Sequence, residues 1–374
     1  MNGRKLTLKK TGNYVIAILL FCIFVEVTAR LDDWIKHDAP FESTYTARRL
    51  RTWDDEGIRV NISNGGFEKW KNNSHGFRGP EIDIEKPANI TRIVCLGASE
   101  SYGLYESPDH EWPAQMRQEL NGDSYEVINA ATVGLPMTQY IQYLEKYVLK
   151  FSPDAIVLYI EPASYVAARQ RAINNPEIKS SSPTATAQAG FSMSMIKESF
   201  RTVPKLQRAI KQFLPVSVMN EYYRKDALKK IEISEKRYLN GNAPLERVTA
   251  DCLEDYRKDL IEVIEFLKSN NCQALLCTYP SLISGGVKEK EEHMTIFLEA
   301  RRFVVELTLE GMSDAAIQLN DVSRSVAEET GTLLIELENV VPRDKDHFAD
   351  NVHYTDAGAE VVARTMAQFI QSNF

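Results

Sequence analysis

Arg92-Ile93-Val94-Cys95-Leu96-Gly97-Ala98-Ser99-Glu100-Ser101-Tyr102-Gly103 sets a short unbroken apolar run directly before a turn of small residues. A run of that length, closed by glycine, reads as a strand buried on both faces. Similar runs recur at 125–129, 155–160, 274–278 and 332–335. Between them the apolar positions recur at three and four, at 112–120, 138–150, 251–268, 313–329 and 355–370, which predicts helices. Strands alternating with helices predict an α/β domain over 85–372, a three-layer α/β/α sandwich with a mainly parallel five-stranded sheet.

The flanks are of other kinds. Arg4, Lys5, Lys9 and Lys10 precede an apolar run at 14–25, with no acidic residue before Glu26, the pattern of an export signal. Residues 1–30 are expected to be a signal anchor or a signal peptide, with Val27-Thr28-Ala29 resembling a cleavage site. The anchor reading puts a single-pass protein in the cell membrane with everything after Arg30 outside; cleavage gives a secreted protein. Residues 31–84 form a polar lead-in without a sustained period. The interval 167–250 interrupts the rhythm with Ser180-Ser181-Ser182-Pro183 and two basic helical patterns at 192–213 and 221–238. It is either a lid over one end of the sheet or a helical insertion without a role in substrate choice.

Charge narrows the classes. The 374 residues carry a net charge of -8, without the clustered Lys and Arg that phosphate neutralisation demands, so nucleic acid is not an expected partner. The five cysteines make neither a disulfide framework nor a metal-ligand spacing, and Cys272 and Cys277 are expected to be free thiols. Asn61, Asn72 and Asn89 head Asn-x-Ser/Thr sequons.

In an open parallel sheet, ligands bind beyond the carboxyl ends of the strands. Ser99 sits there, in a turn that exposes a hydroxyl and its own N–H, as a nucleophile generating an oxyanion requires. Near the other end, Asp350 precedes His353 by three residues, a spacing at which a carboxylate can hold one imidazole nitrogen while the other faces a serine. The other histidines lie in the lead-in (His37, His75), after the serine loop (His110), in a charged helix (His293) and beside Asp346 (His347). A zinc site from His347, Asp350 and His353 leaves Ser99 unexplained. Among Glu100, Asp109, Glu111 and Glu161, no spacing singles out a glycosidase pair, and no Gly-Lys-Ser/Thr marks a phosphate loop.

The serine block at Ser99, the Asn129-Ala130-Ala131-Thr132-Val133-Gly134 stretch and the Asp350-Asn351-Val352-His353 block together resemble the SGNH (GDSL-type) hydrolases. Asn73-Ser74-His75-Gly76-Phe77-Arg78-Gly79 is similar to the segment that precedes the core in exported bacterial members. The resemblance implies Ser99, Asp350 and His353 as the catalytic set, N–H groups of Ser99 and Gly134 in the oxyanion hole, and no cofactor or metal. The family's asparagine after the third strand is missing from Glu161-Pro162-Ala163-Ser164-Tyr165, leaving Ser164 or a side chain of the insertion to replace it. Ala98 stands where the family name implies aspartate. Three functions follow: a serine esterase or deacylase acting on an O-acylated glycan or lipid outside the membrane, an O-acyltransferase on a polysaccharide using the same residues, or a weakened glycan-binding or envelope-assembly protein.

Overall fold

The computed structural model describes residues 2–37, 41, 50–120, 124–176, 200–284 and 294–374. Two antiparallel ribbons come first, β1 (Arg51–Trp53) with β2 (Arg59–Asn61) and β3 (Gly66–Phe67) with β4 (Trp70–Lys71). The expected sheet follows as β5 (Thr91–Leu96), β6 (Tyr125–Asn129), β7 (Ala155–Leu158), β8 (Gln273–Cys277) and β9 (Leu333–Ile335), all parallel, in the order β6-β5-β7-β8-β9. The connection from β5 runs to one side and that from β6 crosses to the other, so the chain reverses direction beside β5. That reversal opens a crevice at the carboxyl ends of β5 and β7.

Alternation inside the apolar runs explains why the strands are buried on both faces. Val94, Leu96, Ile156, Leu158, Ala274 and Leu276 join one core; Ile93, Cys95, Ala155, Val157, Leu275 and Cys277 join the other. Helices Pro162–Asn174, Ala250–Ser269 and Leu309–Thr330 cover the first face, and Trp112–Glu119 and Asp356–Asn373 the second. Caps fix where several begin: Thr249, Thr308 and Thr355 accept from the N–H groups of Cys252, Gly311 and Gly358.

The helix expected over 138–150 is not uniform. It winds tightly at Met137–Gln139, regularly at Tyr140–Tyr143, widely at Leu144–Val148 and tightly again to Phe151, before Ser152 turns left-handed. Within 167–250 the described helices are the end of Pro162–Asn174, then Thr202–Gln212 and Val216–Tyr238; the serine-rich 180–187 lies outside the described residues. A helix at Met294–Arg301, in the stretch where the sequence puts a charged helix around His293, is tied to Val216–Tyr238 by Arg301, whose Nη2 lies 2.7 Å from Glu235 Oε1.

The chain opens with a 36-residue helix, Asn2–His37, and its Asn13–Lys36 portion is long and apolar enough to cross a membrane. From Tyr14 to Phe24 its large apolar side chains are exposed. A helix of ordinary core type would hide them, whereas lipid would cover them.

Candidate active site

Ser99 begins a one-turn helix, Ser99–Tyr102, directly beyond β5. Gly97 makes the turn possible, because a Cβ there would stand 2.2 Å from Ser101 Oγ and 3.0 Å from the Tyr159 carbonyl. Ala98 at the N-cap offers no side-chain acceptor for the first N–H groups of this turn. The far end of the turn is clamped by Arg78. Its guanidinium donates to the Gly103 carbonyl at 2.6 Å and meets Glu111 at 3.1 Å, and its backbone N–H donates to the Asn129 carbonyl at 3.1 Å. Arg78 and Glu111 are almost wholly buried, and removing one partner of such a pair costs about 3–5 kcal/mol. Gly76-Phe77-Arg78, noticed in the sequence only as a similarity, thus has a physical role: it pins the serine turn to β6.

The structure brings the three expected side chains into one chain of hydrogen bonds. Ser99 Oγ lies 2.8 Å from His353 Nε2, and His353 Nδ1 lies 2.7 Å from Asp350 Oδ2. The other oxygen, Asp350 Oδ1, accepts from the N–H groups of Val352 and His353 at 3.0 and 2.8 Å, so the loop folds around its own carboxylate. Burial works against charge on Asp350, and the bonds from His353 and the backbone outweigh it and hold the carboxyl below its ordinary range. Burial likewise works against an imidazolium, but Asp350, Glu100 and Glu106 together hold His353 above the ordinary histidine value. The Tyr105 ring rests against the imidazole at 5.0 Å between centroids.

Glu100 was not among the expected active-site residues. It is buried beside Ser99, accepting from the Ala98 N–H at 3.1 Å and from Ser99 Oγ at 3.4 Å. Burial, helped by the charge of Glu161, pushes its carboxyl up to about 7. Burial pushes Glu106 up to about 7 as well. A carboxylate next to the serine carries no motif of its own, and its burial follows only from the tertiary fold.

Gly134 has a φ of 78°, open space where a Cβ would be, and a place on the wall of the Ser99 cavity. Its loop is held from the lead-in: Arg59 Nε donates to the Val133 carbonyl at 3.3 Å and Asn61 Nδ2 to the Ala131 carbonyl at 3.0 Å. The β1–β2 register sets Arg51, Trp53, Arg59 and Asn61 on one side of the ribbon, and Arg51 reaches the same cavity. Arg51 forms no ion pair among the described residues, and burial lowers its pKa. Asn61 and Asn72 are buried and hydrogen-bonded, so neither sequon is open to a glycosylating enzyme in the folded chain.

Ser164 also lines the cavity, one turn into the helix that follows β7. Its N–H donates to Glu161 at 2.6 Å, and Glu161 takes a second bond from the Ala163 N–H at 3.0 Å. Burial raises the pKa of that carboxylate against the pull of these bonds. Glu161 therefore caps the helix in which Ser164, the substitute donor offered by the sequence, sits on the cavity wall.

The cavity around Ser99 holds about 1590 Å³. Its walls carry Tyr105, Tyr165, Tyr222 and Tyr223, with Arg51 and Arg169 among its cations. Lys211, Tyr222, Tyr223, Asp226 and Lys230 come from the two helices between Thr202 and Tyr238. Other residues weighed from the sequence lie in separate places: His347 pairs with Asp344 at 2.7 Å, Glu111 with Arg78, and His110 stands 4.0 Å from Asp356. Cys272 and Cys277 are buried free thiols.

No family model and no curated protein matches this chain. Among solved structures it is similar to the lipase/acylhydrolase from Enterococcus faecalis, at 15% identity over 76% of this chain and 96% of that one, with a TM-score of 0.41. It is similar also to a catalytic mutant of Axe2, an acetylxylan esterase from Geobacillus stearothermophilus, at 13% identity over 75% and 94% with a TM-score of 0.41. A GDSL-like lipase from Bacteroides thetaiotaomicron aligns at 13% identity over 76% and 89%, with a TM-score of 0.39. These are distant likenesses, and the chemistry below is built from the side chains of this chain.

Proposed function

We propose that this chain is a serine esterase or deacylase of SGNH type, held at a membrane by its first helix. The observation that carries the reading is the continuous Ser99–His353–Asp350 hydrogen-bonded chain opening into the cavity at the carboxyl ends of β5 and β7. In the proposed reaction Ser99 Oγ attacks the ester carbonyl while His353 Nε2 takes its proton. Asp350 holds the imidazole in the tautomer with its free nitrogen toward Ser99 and stabilises the imidazolium that forms. The N–H groups of Ser99 and Gly134 receive the oxyanion. Collapse breaks the ester C–O bond, and His353 returns the proton to the departing alcohol. Water then attacks the acyl-serine while His353 takes its proton, the acyl–Oγ bond breaks to release the acid, and His353 returns the proton to Ser99 Oγ.

The substrate we propose is an O-acylated glycan or lipid outside the cytoplasmic membrane. In support, the basic residues before the apolar run favour the cytoplasmic side for the N-terminus, and tyrosine faces among charged groups suit a sugar-bearing ligand. A second reading, acyl transfer to a polysaccharide hydroxyl, is favoured by the cavity's size: 1590 Å³ exceeds the roughly 300–1,000 Å³ usual for one small ligand and leaves room for donor and acceptor. The test is turnover of a nitrophenyl acetyl ester by the full chain and its Ser99→Ala variant, with and without an added oligosaccharide. Turnover lost in the variant supports the reading, and acetylated oligosaccharide among the products selects transfer. Equal rates in folded wild type and variant would reject both.

A further inference from the structure

The helix that would cross the membrane is not joined to the catalytic domain by sequence alone. Glu26, the first acidic residue after the apolar run, accepts from the N–H groups of Arg201 and Thr202 at 3.0 Å each and from the Thr202 hydroxyl at 2.7 Å. It thereby occupies N–H groups at the start of the Thr202–Gln212 helix from a distant part of the chain. One to two turns further along the first helix, buried Arg201 reaches Asp33 at 2.7 Å, and Lys205 contacts both Asp32 and Asp33. These contacts fix the start of the second helix at the level of Glu26 on the first.

That level can be placed in a bilayer. Glu26 lies sixteen positions after Lys10, a rise of about 24 Å at ~1.5 Å per residue, against a hydrocarbon thickness of about 30 Å. With the basic flank at one interface, Glu26 reaches the other only with help, and a helix beginning at Glu26 lies in the interfacial layer. Its exposed surface suits that layer. Leu206, Ile210 and Phe213 are 57%, 52% and 87% exposed at a spacing of four and three, and the stripe continues with Leu214 and, past the turn at Pro215, with Val218. In water such a stripe is a liability; at a lipid surface it is an anchor. Lys211 from the same helix and Tyr222 and Tyr223 from the next line the Ser99 cavity, and Lys211 packs on both rings at 5.3 and 5.0 Å.

We propose that the elbow formed by helices Thr202–Gln212 and Val216–Tyr238 rests on the bilayer surface where the first helix emerges, so that the Ser99 cavity takes an ester carried by a membrane-borne amphiphile. The docking half stands on the contacts above; the substrate half rests on the hydrolase reading and narrows it to lipid-linked esters.

Two measurements on the full chain in phosphatidylcholine–phosphatidylglycerol nanodiscs separate these halves. In a Cys22→Ala background, nitroxides are placed by Phe213→Cys and, as a water-facing reference, by Glu360→Cys. Docking is supported if the label at 213 collides preferentially with oxygen and the label at 360 with a water-soluble nickel chelate; it is overturned if both favour the chelate. The substrate half is read from a variant carrying Leu206→Glu, Ile210→Glu and Phe213→Glu. Turnover of an acetylated glycolipid in the disc should fall at least tenfold while turnover of soluble nitrophenyl acetate stays within twofold. An unchanged glycolipid rate, or equal loss on both esters, overturns it. If the wild-type chain turns over neither ester while the label at 213 is in lipid, the hydrolase reading fails and the docking stands.

Discussion

Two helices begin side by side at the carboxyl ends of β5 and β7, and they use their first turns in opposite ways. After β5, Ala98 offers no cap and Ser99 presents its hydroxyl to His353. After β7, Glu161 caps the helix with its own carboxylate, taking the N–H groups of Ala163 and Ser164. Both starts carry a carboxylate, but Glu100 takes the N–H of Ala98 before its helix, whereas Glu161 takes N–H groups of the first turn of its own helix. A helix N-terminus is a ready anion site only while nothing in the chain occupies it. The proposed oxyanion hole rests on the backbone donors of Ser99 and Gly134.

The sharpest way to strain this comparison is to disturb the β5 side. Asp350→Asn should leave the fold intact and lower kcat about 10⁴-fold, because an amide cannot fix the imidazole tautomer or stabilise its cation. A loss of less than tenfold in single-turnover kinetics would mean that His353 is not the base. On the β7 side, Glu161→Ala should remove a cap worth about 1 kcal/mol, visible as a lower urea midpoint, while kcat/KM changes less than threefold. A hundredfold loss would instead place Glu161 in the chemistry and erase the difference between the two turns.

A smaller effect tests how the buried carboxylates tune the β5 side. His353 must be neutral to act as base, and Glu100, Glu106 and Asp350 raise its pKa, so the acidic limb of kcat/KM should have its midpoint above the ordinary histidine value. Glu100→Gln removes one of these charges and should shift that midpoint to lower pH. The same substitution has a stability signature of known sign. The Glu100 carboxyl goes from an ordinary 4.5 to about 7 on folding, so its relative contribution is present below pH 4.5 and lost as pH rises through 7. The glutamine variant should therefore be more stable than wild type at pH 8, by at most about 3 kcal/mol, with the gap closing toward pH 5. Urea midpoints at the two pH values check this, and a pH-independent difference would contradict it.

The parts of this arrangement that were legible in the sequence are those with local signatures. Buried strands announce themselves as continuous apolar runs, and the Asp350–His353 spacing closes a hydrogen bond within one loop whatever surrounds it. The Ser99 turn was readable because Gly97 must lack a side chain there. What stayed hidden depends on distant contacts. The lead-in shows no period because its work is done by single side chains, Arg59, Asn61 and Arg78, each reaching the backbone of another loop. Glu161 looked like an absence, a missing asparagine, and only the folded helix gives its carboxylate a task. The Met294–Arg301 helix was legible only as a charged helix around His293, and its place against Glu235 of another helix was not.

The central claim is that Ser99 carries the acyl group, and intact-mass analysis of the full chain mixed briefly with nitrophenyl acetate tests it most directly. The account predicts an adduct of one acetyl group on Ser99, formed in a burst, retained longer at acidic pH and absent from Ser99→Ala. An adduct of equal yield in the variant, or none in a folded wild-type chain that turns the ester over, would contradict it.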